Sequence, residues 1–410
     1  MSPNPSHPPA PVITTADPDS FAAFTLTRRL PALLDQVMEK NRLSGARATP
    51  LRDLKRRLRA GTVEDIFSAH PYLRERMETA EQATWSREIG RHRGKSWLNL
   101  PWYFAESLFY LEVLLAWGYY REDSPGFAVD PYRPFKEEEL RRPGGALELS
   151  ARIEEVTSVI ASPRQQLPIL LQYCLWANRL DLSYSQLVEK YGNRLDLETN
   201  RLLVDHSDLA AERLLRARRI DLILDNCASE LIADLHLVRA LLTHASEPTV
   251  VLHCKKAPYY VSDATISDAT ATIAALVQND SPILSNLGQA LSRALEDGSL
   301  RLREHFFWNG PLHFPELPAG LKRELSESDL IVLKGDANYR RLLCDRRWDP
   351  STDMKSIVGY FPAAFVTLRT TKSELIVDLP RETVEILNRD DPNWLIEGRY
   401  GIIRYCDPGN

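Results

Sequence analysis

Long apolar runs are missing from this sequence. The most apolar long stretch, Leu108 to Tyr120, is too short to span a bilayer and carries Glu112 inside it. Cysteine is sparse: Cys174, Cys227, Cys254, Cys344 and Cys406 are odd in number, widely spread and free of any CxxC pair. That spacing speaks against a disulfide frame or a zinc site and for reduced thiols in a reducing compartment. Excess positive charge is missing too. A net charge of −5 argues against a nucleic-acid binder held by a large positive field, though it says nothing about small anions. No secretory leader is evident, because the first twenty residues are rich in Pro, Ser and Thr, with no basic head before an apolar core. GxSxG, Walker A, HExxH and GxGxxG are all absent. The expectation is a soluble monomer of the cytoplasm, extending to the nucleus, with neither nucleic acid nor membrane as a partner.

What is present is a long chain with two characters. Its 410 residues suffice for two regions packed into one body. Met1 to Asp19 holds six prolines and almost no large apolar side chains, which reads as a disordered tail. Residues 20–180 read as a mainly helical region. Three/four spacing runs through Phe24–Lys40, Leu51–Arg59, Val63–Ala69, Tyr72–Glu88, Trp102–Trp117, Leu147–Ser158 and Pro168–Asn178. Thr62 with Asp65 reads as a capping box for the third of these. The aromatic stretch Trp97 to Tyr120 reads as helix packing, with Glu106 as an acidic residue among rings that looks into a cleft.

From 181 to 410 short β-rich runs alternate with helices. Strands are expected at Ile220–Leu224, Thr249–Cys254, Arg301–Trp308, Asp329–Leu333, Ala364–Leu368 and within GRYGIIRY, with helices at Glu230–Thr243, Ile266–Asn279, Ile283–Asp297 and Gly320–Ser326. Alternation of this kind implies crossover connections. The fold class is therefore α/β, with a helical N-terminal region packed on a three-layer α/β/α domain whose sheet is mainly parallel. Asn178 and Asp181, in WANRLDLS, fall where the two regions meet.

Polar residues gather at the ends of these strands: Asp225-Asn226, Ser262-Asp263 beyond a short loop, Lys334 to Arg340, and Arg369-Thr370-Thr371-Lys372. In a parallel sheet these clusters share one edge, where ligands bind. Asp and Asn oxygens suit Mg²⁺ or Mn²⁺. Lys and Arg beside a cation make sense if a phosphate bridges metal and protein, and helix N-termini add backbone donors. Taken singly, each residue has a structural reading. A strand-end Asp is more often a turn former or cap, Lys372 and Arg369 read as surface charge, and Asp336 and Asn338 as caps. Glu230 and Asp234 complement a helix N-terminus, although Glu230 is close enough to Asn226 to touch a site. His253 reads as core, and Thr265 with Asp268 as a capping box.

The motifs together resemble a known family. LDNCASELIADLHL is similar to the DNxGxEL-type signature of the metal-dependent damage-control phosphatases. YVSDAT, LKGDANYRRL and LRTTKSEL resemble further blocks of the subfamily marked by an Arg-Thr-x-Lys motif, and WLNLPWYFAESLFY and LWANRLDLS its N-terminal blocks. The resemblance covers most of the chain from about residue 20. It implies a divalent metal (manganese, cobalt, nickel or magnesium) held by Asp225, Asn226 and Asp263. It also implies a small phosphorylated metabolite contacted by those residues and by Asp336, Ala337, Asn338, Tyr339, Arg340 and Lys372. Asp225, Asn226, Asp263 and Lys372 would be the catalytic set, and the implied substrates are sugar phosphates such as fructose 1-phosphate and fructose 6-phosphate. Cys227-Ala228-Ser229 departs from the family's glycine in that turn. Two rival functions stand beside this one. An S-adenosylmethionine-dependent carboxyl methyltransferase would want a glycine-rich turn after the strand, and LILDNCASEL has none there. A non-catalytic sugar-phosphate binder is the other. Among phosphatase mechanisms water attack is favoured, since an aspartyl nucleophile of the haloacid-dehalogenase kind needs a second Asp where Cys227 stands.

Overall fold

The computed structural model describes residues 10–142, 144–177, 201–244 and 248–409. Seven strands form one sheet: β1 (Leu202–Asp205), β2 (Arg219–Ile223), β3 (Thr249–Cys254), β4 (Leu300–Glu304), β5 (Leu330–Lys334), β6 (Phe365–Thr370) and β7 (Gly401–Cys406), in the order β1-β7-β6-β5-β2-β3-β4. The five strands from β6 to β4 are mutually parallel. β7 pairs antiparallel with β6, and β1 runs parallel to β7, so the two reversed strands form one flank. The chain runs outward from β2 through β3 to β4, then returns to β5 on the other side of β2. That reversal opens a crevice at the carboxyl ends of β2, β3 and β5, the place where open α/β sheets bind ligands.

The central strands are apolar on both faces, as parallel strands covered by helices must be. On β5, Leu330 and Val332 join one core while Ile331 and Leu333 join the other. The N-terminal helices up to Tyr132 pack on the side of Ile331, Leu333 and Phe365. The helices Ala146–Ser158 and Pro163–Trp176 pack on the opposite side with Ser207–Arg216 and Ser229–His244. The described residues between 20 and 177 therefore divide between both outer layers of the sandwich. In the helix Trp102–Trp117 every residue through Leu115 is buried. It is a core helix whose two acidic residues are paired: Glu112 accepts both Arg57 guanidinium nitrogens at 3.1 and 2.8 Å, and Glu106 binds Arg340.

Most expected elements occur within a few residues of their sequence bounds, and the Thr265–Asp268 capping box is present in both directions. Five details differ. Residues 1–9 of the expected tail lie outside the described residues, but Ile13 and Thr15 tie the following stretch to the body, while residues 16–19 are exposed. Ile13 is buried, its N–H donates to Asp345 O at 2.9 Å, and its carbonyl accepts from Trp102 N at 3.0 Å. Composition could not reveal this, because a short bridge to distant partners leaves no local periodicity. The cap of helix Ile66–Ala69 is Asp65, whose carboxylate accepts from Phe67 N, while Thr62 pairs with Ser96. The single helix expected over Tyr72–Glu88 is two, Leu73–Arg76 and Thr79–His92, separated by the extended, buried Met77. The strand expected over Arg301–Trp308 stops at Glu304, and His305 then caps a 3₁₀ turn. Helix Arg133–Arg141 and the β1 to Ser207–Arg216 unit had no sequence counterpart. Asn178, Asp181 and the expected boundary at 180/181 lie outside the described residues. No helix among the described residues is long and apolar enough to cross a membrane.

Candidate active site

Asp225 and Asn226 follow β2, and the next helix begins at Ser229. Ala228 makes the turn in the left-handed conformation, with φ 53°. This is the position at which the resembled signature has glycine, which adopts that conformation without steric cost. The loop after β3 arrives at the same place. Tyr260 and Val261 are both left-handed, at φ 47° and 69°, unusual for large side chains and more so for a β-branched one. The bend lets Asn226 and Asp263 pair as an antiparallel bridge, with Cys227 N donating to Ser262 O at 2.7 Å and Ala264 N to Asp225 O at 2.8 Å. Backbone pairing thus brings two sequence clusters together.

The side chains form a connected acidic group. Asn226 Nδ2 donates to Asp225 Oδ2 and to Glu230 Oε1, both at 2.9 Å, and its Oδ1 accepts from Ser262 Oγ. Burial pushes the Asp225 carboxyl well above the usual range, and the Glu230 and Asp263 charges push the same way, against Lys372 and Lys334. Asp263 is also raised by burial, with Lys255 and Lys136 opposing. The two carboxylates and the amide oxygen are hard donors that could hold a divalent cation. Among the described residues no three His, Cys, Asp or Glu side chains form a ready cluster; the candidate set here is two carboxylates and a carboxamide.

Three buried lysines surround the acidic group: the sequence places Lys334 in one of the strand-end clusters and singles out neither Lys136 nor Lys255. Lys334, the last residue of β5, contacts Asp234 Oδ1 at 2.9 Å and Glu230 Oε2 at 3.4 Å. Burial works to discharge it, but the Asp234 and Glu230 charges outweigh that and raise its pKa. Lys255 sits 3.0 Å from Asp263 Oδ2. Lys136, on the unexpected helix, donates to Asp263 O at 3.1 Å and to Asp268 at 2.7 Å. A lysine within an apolar strand end, as in IVLK, was the available signal for Lys334, since a buried lysine needs a carboxylate partner.

The other expected site residues separate into two groups. Arg369 of the Arg-Thr-Thr-Lys run is fully buried. It donates to Asp336 Oδ1 at 2.7 Å and lies 4.3 Å over the Tyr339 ring, while Ser373 Oγ also bonds Asp336. Thr371 Oγ1 is turned inward to Trp394 O at 2.7 Å, and Lys372 alone is exposed. Asn338 is buried and donates to Lys334 O at 2.8 Å. Its Oδ1 has no hydrogen-bond partner among the described residues. Ala337 is half-buried in the first turn of helix Gly335–Leu342, where backbone N–H groups lack intrahelical acceptors. Arg340 is buried in carboxylates of the fold: Asp345 at 2.8 and 3.1 Å, and Glu106. Glu106 is thus turned into an ion pair within the protein, not into an open cleft. It is only 7% exposed, and burial raises its pKa against the opposing Arg340 charge. Asp225, Asn226, Glu230, Asp263 and Lys372 form one electrostatic unit, and Glu106, Arg340 and Asp345 a neighbouring knot.

A family model described as the damage-control phosphatase ARMT1-like domain matches residues 25–387 of this chain. The damage-control phosphatase ARMT1 of Danio rerio is 26% identical over 432 residues, covering 95% of each chain. The Xenopus laevis protein of the same name is 30% identical over 341 residues, covering 75% of each. A crystal structure of a DUF89 family protein from Pyrococcus horikoshii superposes with a TM-score of 0.47 at 15% identity, covering 93% of this chain and 98% of that one.

Proposed function

The chain belongs to the damage-control phosphatase ARMT1-like family, and on that premise we propose that it hydrolyses the phosphomonoesters of small sugars at the edge formed by Asp225, Asn226 and Asp263. It is a phosphatase, a hydrolase of small phosphorylated metabolites. The finer reading is that fructose 1-phosphate and fructose 6-phosphate are substrates and that manganese, cobalt, nickel or magnesium is the metal. One observation carries it: the backbone bridge between Asn226 and Asp263 sets Asp225, Asn226 and Asp263 side by side beyond β2 and β3, among carboxylates that Lys255 and Lys334 meet. A phosphate dianion approaching those carboxylates unaided would be repelled, so the arrangement suits a phosphate only with a cation between them.

A divalent cation held by Asp225, Asn226 and Asp263 would supply the counter-charge and a water of lowered pKa. The chain's own residues do the rest. Glu230 accepts a hydrogen bond from Asn226 Nδ2 and thereby turns the amide oxygen away from itself, towards Ser262 Oγ. Lys372, exposed at the end of β6, neutralises the phosphoryl oxygens as the P–O bond to the sugar breaks. Backbone N–H groups of the first turn after Lys334, including that of Ala337, add donors on the same side. Asp225 Oδ2 is already held by Asn226, which favours water over Asp225 as nucleophile. Water then supplies the oxygen of inorganic phosphate, and the sugar leaves as its alcohol.

The test is phosphate release by the purified chain from a sugar-phosphate panel with each of the four metals, with EDTA, and with Asp225→Ala. Release that needs metal and vanishes in the variant is expected. Release from no member of the panel sinks the substrate reading, and methyl transfer from labelled S-adenosylmethionine would favour the rival.

A further inference from the structure

We propose that Lys255 is a positioning residue of this site: it holds one oxygen of the Asp263 carboxylate from behind, and so sets the affinity for the divalent cation. The inference rests on reading Asp225, Asn226 and Asp263 as the ligand set. Lys255 directly follows β3 and is only 4% exposed. Its ammonium has two oxygen contacts, Asp263 Oδ2 at 3.0 Å and Trp308 O at 2.8 Å, and lies 5.6 Å from the centre of the Tyr260 ring. Those contacts fix the nitrogen in space, because the Trp308 carbonyl belongs to a fully packed 3₁₀ turn.

The backbone of Lys255 is held equally firmly. Its N–H donates to Ala264 O at 2.9 Å, and the residue bridges to Thr265. One residue therefore grips both the far end of the loop and the carboxylate that the loop delivers. Between Lys255 and the residues it grips lie the left-handed Tyr260 and Val261. Strain of this kind persists only where the surroundings over-determine it, and it clusters at functional sites.

Lys136 does a different job. It binds the main-chain carbonyl of Asp263 and the carboxylates of Asp130 and Asp268, which anchors the loop through its backbone and not through the Asp263 carboxylate. The rotamer of the carboxylate is left to Lys255. With Oδ2 on the ammonium, Oδ1 is the oxygen left for a ligand. Outer partners of metal-ligating side chains typically change metal affinity by about 10- to 100-fold when removed. A lysine that served only the fold would lower stability and leave the affinity of the folded protein unchanged.

The experiment uses the full chain, stripped with EDTA and titrated with Mn²⁺ in a calorimeter without substrate. Wild type, Asp263→Asn and Lys255→Met are compared at a temperature where circular dichroism finds each folded. Lys255→Met is expected to bind Mn²⁺ about 10- to 100-fold more weakly than wild type. A constant within about twofold of wild type, while Asp263→Asn loses binding, overturns the positioning role. No Mn²⁺ binding by wild type overturns the ligand set itself, and is separable because it needs no variant. Should Lys255→Met not fold, the crystal structure of wild type with Mn²⁺ decides. One Asp263 oxygen on the metal and the other on the Lys255 ammonium supports the proposal. Both oxygens on the metal, or Lys255 turned away, overturns it.

Discussion

Gly335 lies against the carboxylate of Asp225: a Cβ added to it would stand 2.1 Å from Asp225 Oδ2 and 2.2 Å from its Cγ. The residue also has φ +84°, which side-chain-bearing residues rarely adopt. Gly335 opens the helix after β5, and Asp225 closes the turn after β2. The two central strands therefore meet at this contact, with no room for even a methyl group. Gly335→Ala should cost about 2–4 kcal/mol, the sum of left-handed strain and overpacking. It should also lower phosphatase activity by displacing Asp225. Urea unfolding with a parallel phosphate-release assay checks both, and a variant equal to wild type in each would refute the close approach.

Ala228 offers the opposite case. Its φ of 53° imposes a strain that glycine lacks, and glycine costs more entropy on folding. Ala228→Gly should therefore stabilise by up to about 1 kcal/mol, and Ala228→Val should destabilise by more than about 1 kcal/mol. Urea midpoints compare the three proteins. A clear loss of stability in the glycine variant would contradict the left-handed turn.

Lys372 and Glu106 should separate function from folding. Lys372 is exposed, so Lys372→Met should change stability by no more than about 0.5 kcal/mol while cutting phosphate release at least tenfold. Glu106 is buried on Arg340. Glu106→Gln leaves a buried guanidinium short of a partner, which should cost about 3 kcal/mol or somewhat more. The expected readings are a normal melting temperature with poor turnover for the first, and a lowered melting temperature for the second. The reverse pattern would exchange their roles.

His313 predicts a slope in acid. Burial, together with the Arg341, Arg340 and Arg346 charges, lowers its pKa from 6.5 to about 3. Between those values the unfolded chain takes up a proton that the folded chain refuses, so stability falls as pH falls through that window. At and above pH 7 both states are neutral at this residue and the contribution is constant. His313→Gln should show a shallower loss of unfolding free energy between pH 6.5 and 4 than wild type. Parallel slopes would mean that His313 is not held neutral.

Much of this protein is written locally. Apolar runs of strand length, three/four spacing and the Thr265–Asp268 cap locate β2, β3, β5, β6 and their helices, because those signals come from neighbours in the chain. The strand-end residues Asp225, Asn226, Asp263 and Lys372 could be singled out because polar groups at the ends of apolar runs stand out, and the block order pointed to the family. What the chain order could not express was pairing. That Asp263 meets Asn226 depends on two left-handed residues and a backbone bridge. That Arg340 is held by Glu106 and Asp345, and Arg369 by Asp336, depends on which charges are buried together. A lone basic residue in a sequence reads as a candidate for an anion, and only packing decides whether its partner is a substrate or the protein. The same holds for Lys255 and Lys334. Buried lysines are costly unless a carboxylate meets them, and those carboxylates come from elsewhere in the chain, brought near by the crossover geometry of the sheet.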